Sequence, residues 1–172
     1  MAIDKIQSES INLADTFAFT GTVTGVNTTK PSFSATFSGD QTISDATWTK
    51  LAFDTEIFDS DSAYDASTNY RFTPQTSGNY LVMVKMKIYG GATNALSEGQ
   101  IRIYKNGSSE IPFEFGTYPD AILHNISLVN YGVINMNGSS DYIEAYGYGE
   151  NTGQSNTVWS GKDQFFTAFK LT

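Results

Sequence analysis

His124 is the only histidine in the 172 residues, so any Ser-His-Asp chemistry has a single candidate base. No Gly-x-Ser-x-Gly elbow accompanies it. His124 lies between Leu123 and Asn125 in what reads as the middle of a strand, and no catalysis through it is expected. Glu110 and Glu114 could serve as a glycosidase carboxylate pair, but their setting reads as an exposed strand edge rather than a cleft. The run Asp59-Ser60-Asp61-Ser62-Ala63-Tyr64-Asp65 places carboxylates at the first, third and seventh positions, as calcium loops do. Alanine stands at the fifth position, Tyr64 where a turn glycine belongs, and no glutamate follows at the twelfth. Asp59, Asp61 and Asp65 are therefore calcium candidates on a partial match, and the expectation is a solvated acidic loop without a cofactor. Tyr142, Tyr146 and Tyr148, with Trp159 and the amides from Asn151 to Asn156, could stack on a saccharide. The same tyrosines could pack a sheet or a seam between subunits. Trp159, Asn151 and Tyr148 are the candidate ligand-contact residues.

Positioning these groups falls to a β architecture. The chain is 40% hydrophobic, 14% aromatic and 16% charged, a composition that suits sheets joined by turns and argues against a helical bundle. Its length allows one β domain with a full core and an extension. With a formal charge of -8 and no basic patch, no nucleic-acid partner is expected. No apolar run of signal-peptide or membrane-spanning length is visible, so neither secretion by a signal peptide nor membrane insertion is expected. The absence of cysteine rules out a disulfide framework and thiolate metal sites.

Residues 1–30 read as an arm. Ile11 and Leu13, Phe17 and Phe19, then Val23 alternate with polar residues at strand spacing, and a segment so short cannot bury its own apolar face. Residues 31–172 read as one compact domain. Phe33 to Phe37 begins it, and Trp48 to Phe53 is the next strand, followed by a short extended piece at Ile57 and Phe58. The segment Tyr80 to Tyr89 reads as a central strand, with Tyr80, Val82, Val84, Met86 and Ile88 on one face. Gly90 to Gly99 reads as a loop, and Ile101 to Tyr104 as a strand. Lys105-Asn106-Gly107 is a hairpin signal, with Ile111 to Phe115 as the returning edge. Ile122 to Tyr131 and Val133 to Met136 read as extended segments broken near Gly132. A turn at Asn137 to Asp141, a strand from Tyr142, a polar loop Gly149 to Asn156 and a last strand Phe165 to Leu171 complete the chain. Such spacing predicts an all-β sandwich or barrel.

Phe53, Tyr64-Asp65, Thr68, Phe72, Pro74, Gly78 and Tyr80, then Lys105-Asn106-Gly107 and the ending Phe165-Phe166-Thr167-Ala168-Phe169, carry a resemblance. From about Phe33 to Leu171 the chain resembles the C1q-type globular head, a relative of the tumour necrosis factor jelly rolls. Ala168 departs from that pattern, which has glycine there, and the loop after Tyr89 lacks the family's common cysteine. The resemblance implies a ten-strand jelly-roll β-sandwich assembled as a homotrimer, with Tyr80, Val82, Tyr142, Tyr146 and Phe169 as core or subunit-contact residues. The opening DKIQSESINLADTFAFTGTVTG is similar to the start of small virion proteins of tailed phages. That similarity implies a non-enzymatic capsid decoration, head fibre or tail-fibre knob, located in a virion assembled in the host cytoplasm. The arm, through Ile11, Leu13, Phe17 and Phe19, would contact other virion proteins. The alternative is a receptor- or glycan-binding adhesion head that contacts a host surface.

Overall fold

The computed structural model describes residues 30–91, 96–112, 123–151 and 163–171, together with the backbone of 156–158. The arm expected over residues 1–30 lies outside them except for Lys30. Two antiparallel sheets face each other. The larger one contains β1 (Ser32–Thr36), β2 (Gln41–Ile43), β4 (Thr55–Asp59), β7 (Gly78–Tyr89), β10 (Asn125–Met136), β12 (Asn156–Val158) and β13 (Phe165–Lys170). Its order is β2-β12-β7-β13-β1-β4, and β10 pairs with the other edge of β7. The smaller sheet runs β5 (Tyr64–Asp65), β6 (Arg71–Phe72), β11 (Ile143–Asn151), β8 (Leu96–Lys105), β9 (Ser108–Ile111), with β3 (Thr49–Lys50) added to β11. Thirteen strand segments are present among the described residues rather than ten, and three of them are two residues long.

Alternation decides which side chains meet between the sheets. On β7, Tyr80, Val82, Val84, Met86 and Ile88 are fully buried, as their spacing predicts. They face Ile101 and Ile103 of β8 and Ile143 and Ala145 of β11 across the core, all at 0% exposure. Phe33 organises one end: it stacks on Tyr64 and on Phe72, both at 4.5 Å, and meets Phe166 edge-on at 5.0 Å. Such ring pairs add roughly 0.5–1.5 kcal/mol each beyond burial. Of the residues that carry the C1q-type resemblance, Phe53, Phe72, Tyr80, Phe166 and Ala168 are fully buried, with Tyr64 and Pro74 buried beside them, whereas Thr68, Asn106, Gly107 and Phe169 lie at the surface. Ala168, where glycine was the pattern, sits at 0% exposure between Phe33 and Val82, so the core has room for its methyl group.

Several segment boundaries differ from the sequence reading. Of Trp48 to Phe53 only Thr49 and Lys50 are strand; the Gln41 amide holds the rest, donating to Lys50 O at 2.8 Å and accepting from Ala52 N at 2.9 Å. This lets Leu51 and Phe53 plug the core from a non-strand path. Gly132 does not break β10, which runs unbroken against β7 from Asn125 to Met136. Instead it makes room: a Cβ there would lie 2.3 Å from Ile111 Cδ1. The expected loops Gly90 to Gly99 and Gly149 to Asn156 are shorter, because β8 starts at Leu96 and β11 continues to Asn151. Strands β2 and β12 were not read at all. The Lys105-Asn106-Gly107 turn is as expected, with positive φ at Asn106 (52°) and Gly107 (78°), but the strand that returns from it is Ser108–Ile111 rather than Ile111 to Phe115, of which 113–115 lie outside the described residues.

Candidate functional site

Two outer surfaces carry the groups of interest. The outer face of the six-stranded sheet is aromatic and charged. With Ile143 and Ala145 turned inward, β11 turns Glu144, Tyr146 and Tyr148 outward. Its neighbour β8 sets Tyr104 opposite Glu144, Arg102 opposite Tyr146, and Gln100 opposite Tyr148. Tyr104 and Tyr146 stack at 4.1 Å. The Arg102 guanidinium lies 4.1 Å above the Trp48 ring, which itself contacts Tyr148 at 5.3 Å. Arg71 from β6 covers Tyr142 at 4.5 Å. At half-buried positions each cation–ring contact is worth about 1 kcal/mol.

Hydrogen bonds order the polar groups on that face. Tyr148 Oη donates to Glu150 at 3.1 Å, Gln100 donates to Glu98, and Arg102 donates to Gln100 Oε1 at 3.3 Å. Lys50 pairs with Glu144, whose 5% exposed side chain would otherwise be a costly buried charge. Burial, together with the Glu150 carboxylate that accepts its proton, pushes the Tyr148 phenol up to about 12. Tyr148 is therefore a neutral donor across the physiological range. The face offers ring edges, an amide, carboxylates and guanidinium groups in one half-buried plane, which suits stacking and hydrogen bonding to a flat polar ligand.

The outer face of the seven-stranded sheet carries an apolar band. Val129, Tyr131 and Val133 of β10 stand beside Lys85, Met83 and Leu81 of β7, and Phe169 of β13 flanks Leu81 on its other side. Tyr131 is 66% exposed and Val133 58%. Phe58 of β4 reaches Phe169 at 6.4 Å, carrying the apolar band across to the opposite edge of the sheet. The sequence displays this alternation, but β10 carries apolar residues on both of its faces, and periodicity alone does not tell which one is core.

The acidic loop is occupied with itself. Asp59 accepts from the amides of Asp61 (3.1 Å) and Tyr64 (2.6 Å). Asp65 accepts from the amides of Ser67 (3.0 Å), Thr68 (2.9 Å) and Asn69 (3.1 Å), and from the Asn69 side chain at 2.7 Å. Asp61 accepts from Ser60 Oγ at 3.1 Å. Among the described residues no three of His, Cys, Asp or Glu are grouped to hold a metal ion. The Thr68 and Ser67 amides hold the Asp65 carboxyl well below the usual carboxylate range. A depressed folded-state pKa supplies stability above the unfolded value of about 3.9, lost as pH falls through it toward the folded value. Asp65→Asn should therefore flatten the fall in stability between about pH 5 and pH 2, read from urea midpoints at each pH. Equal slopes in the two proteins would contradict this role for Asp65. Asp141, lowered by the Asn106 amide, accounts for part of the slope that remains.

The other predicted residues separate. Tyr80 and Val82 are core, fully buried and turned away from either surface. Tyr142 and Tyr146 lie on the aromatic face and Phe169, 40% exposed, on the apolar one, so the proposed contact set does not form one patch. Tyr148 lies on the aromatic face. Asn151 is buried at the end of β11, its amide donating to Asp45 at 2.7 Å and its side chain to Gly90 O at 3.4 Å; it ties strands together rather than facing a ligand. His124 is exposed in a bend before β10, not mid-strand, edge-on to Tyr89 at 4.7 Å. Glu110 is exposed on β9. Trp159, Glu114 and the arm residues Ile11, Leu13, Phe17 and Phe19 lie outside the described residues. Trp48, Arg102, Tyr104 and Arg71 were missed, because they reach the aromatic face from three different elements far apart in sequence.

No protein-family model matches the sequence, and no curated protein matches it. Its backbone is similar to the Eiger TNF from S. frugiperda, with TM-score 0.52 and 14% identity over 83% of this chain and 92% of that one. The globular domain of zebrafish complement 1qA gives 0.53 and 13% identity over 83% and 98%. Murine APRIL at pH 5.0 gives 0.54 and 14% over 83% and 100%. The chain has the jelly-roll fold of these TNF and C1q domains. Identities this low carry the fold and nothing finer. Within this jelly roll, β10, β7, β13, β1 and β4 form the sheet with the apolar outer face, and β5, β6, β11, β8 and β9 form the aromatic one.

Proposed function

We propose that this chain is a non-enzymatic structural protein of a phage particle, a capsid decoration, head fibre or tail-fibre knob displayed as a homotrimer. The observation that carries the reading is the apolar band of exposed Val129, Tyr131 and Val133 beside half-buried Leu81 and Met83. Side chains of this kind grouped on one sheet face mark an interface. Among the described residues, no cation stacks on the rings of the band, in contrast to Arg71 and Arg102 on the aromatic face. A cyclic assembly closes such a surface without leaving a sticky edge, which suits a displayed particle component. The phage assignment is supported by the similarity of the opening residues to virion-protein lead-ins, and the arm would supply contacts to other virion proteins. Light scattering should give three chain masses, and purified particles should contain the chain at three-fold positions. A monomer in solution would overturn the trimer, and particles lacking the chain would overturn the virion role.

A second reading, a glycan- or receptor-binding head, is favoured by the aromatic face. Under it, Trp48→Ala and Tyr148→Ala each abolish retention on a glycan array while the domain still melts cooperatively, a few degrees lower because the Arg102–Trp48 or Trp48–Tyr148 contact is lost. Uniform absence of binding by the unmodified protein would remove this reading.

A further inference from the structure

The apolar band continues from β10 and β7 to the far edge of the seven-stranded sheet. At the far edge of the seven-stranded sheet Phe58 (41% exposed) meets Phe169 (40%) at 6.4 Å, making a corner, with Ile57 (58%) next to Phe58 on β4 and Leu171 (46%) following β13 beyond Phe169. β4 pairs only with β1 among the described residues, and Ile57 is the extra residue at the irregularity in that pairing. The outward side chains of β1 between Phe58 and Phe169 are Ser32 and Ser34, so nothing rises between the two rings but small hydroxyls. The chain enters the domain at this spot. Lys170 N donates to Pro31 O at 3.0 Å, and Ser60 N donates to Ser32 O at 3.0 Å, so residue 30 arrives between the two sides of the corner.

We propose that residues 16–29 of the same chain cover this corner, with Phe17 and Phe19 seated against Ile57, Phe58, Phe169 and Leu171. Between Asp15 and Lys30 the sequence has no charged residue, whereas residues 1–15 contain Asp4, Lys5, Glu9 and Asp15. The uncharged part is the part next to the corner, and it alone meets a domain of net negative charge without repulsion. Neighbouring strands lie only about 4.8 Å apart, so a return across the corner needs a short turn and no long linker. Gly21 and Gly25 supply positions for that turn. Residues 1–15, with Ile11 and Leu13, stay available for contacts with other virion proteins. This assignment goes beyond the trimer reading and does not depend on it.

Because the chain has no cysteine, one introduced thiol reports on one place. Ile57→Cys, in the full-length protein, should react with a maleimide at least about tenfold more slowly with the native arm than with Phe17→Ser/Phe19→Ser, since a site open a tenth of the time reacts at a tenth of the rate. Val129→Cys, at the other end of the band, should react equally in both backgrounds. Equal rates at Ile57→Cys, fast or slow, overturn the proposal. Acceleration at both thiols also overturns it, because the arm would then act on the whole domain or its assembly. If the Ile57→Cys effect disappears when Tyr131→Asp makes the protein monomeric, the arm belongs to a neighbouring copy and docking within one chain is wrong.

Discussion

Gly138→Ala should cost the domain about 3–5 kcal/mol, combining left-handed backbone strain with overpacking. Gly138 has φ +72°, a region where a side chain is strained in any surroundings. A Cβ there would lie 2.1 Å from Ser77 N, 2.5 Å from Thr76 C and 2.8 Å from Ser77 Cα. All three are backbone atoms, so no rotamer change relieves the clash. The turn is also fixed on its own side: Asn137 Oδ1 accepts from the amides of Ser139 (2.9 Å), Ser140 (3.0 Å) and Asp141 (3.1 Å). Either that turn opens or the start of β7 shifts, losing the pairing of Met136 with Gly78. Gly107→Ala is the control, because its φ of +78° is equally unfavourable but its nearest neighbour is Tyr142 Oη at 3.6 Å. It should cost only about 1 kcal/mol from the backbone. Urea midpoints at one fixed protein concentration separate the two. Similar losses in both variants would mean that contact with Ser77 contributes nothing.

The comparison of these glycines shows what a sequence makes legible. Asn106-Gly107 and Asn137-Gly138 are both visible as turns, because turn chemistry is local. That the second turn abuts residues 76–77 is tertiary and leaves no trace in spacing. The same division runs through the fold. The β7 face from Tyr80 to Ile88, the hairpin and the last strand were readable from alternation, and the core aromatics from the pattern they share with C1q-type heads. Strands β2 and β12, three residues each, are too short to show a period. The aromatic face was half visible: Tyr146 and Tyr148 follow one another on β11 with Tyr142 just before it, whereas Trp48, Arg71 and Arg102 arrive there only through folding. The acidic loop is a related case. Its carboxylates have the spacing of ligands, but Asp59 and Asp65 are turned back to cap their own backbone.

With the proposed trimer seam on this face, Tyr131→Asp should leave the protein monomeric without unfolding it. Tyr131 is 66% exposed in the single chain and its ring lies outside the core, so the substitution leaves intramolecular packing nearly untouched. In the trimer the same ring would be buried. Losing its burial removes about 2 kcal/mol, and a desolvated carboxylate without a partner adds at least about 1 kcal/mol more. A three-fold assembly repeats every interface three times, so the total approaches about 9 kcal/mol per trimer, or more than a million-fold in the association constant. Charge acts in the same direction. Each chain already carries a formal -8, and one more buried negative charge at each seam deepens a repulsion that salt screens only in part. Val133→Asp, 58% exposed beside Leu81, should behave alike, while Tyr131→Phe should keep the trimer and Tyr148→Asp on the opposite face should not affect mass. Light scattering with a melting curve for each variant makes the distinction. If Tyr131→Asp stays trimeric and folded, the apolar face of the seven-stranded sheet is not the seam between copies.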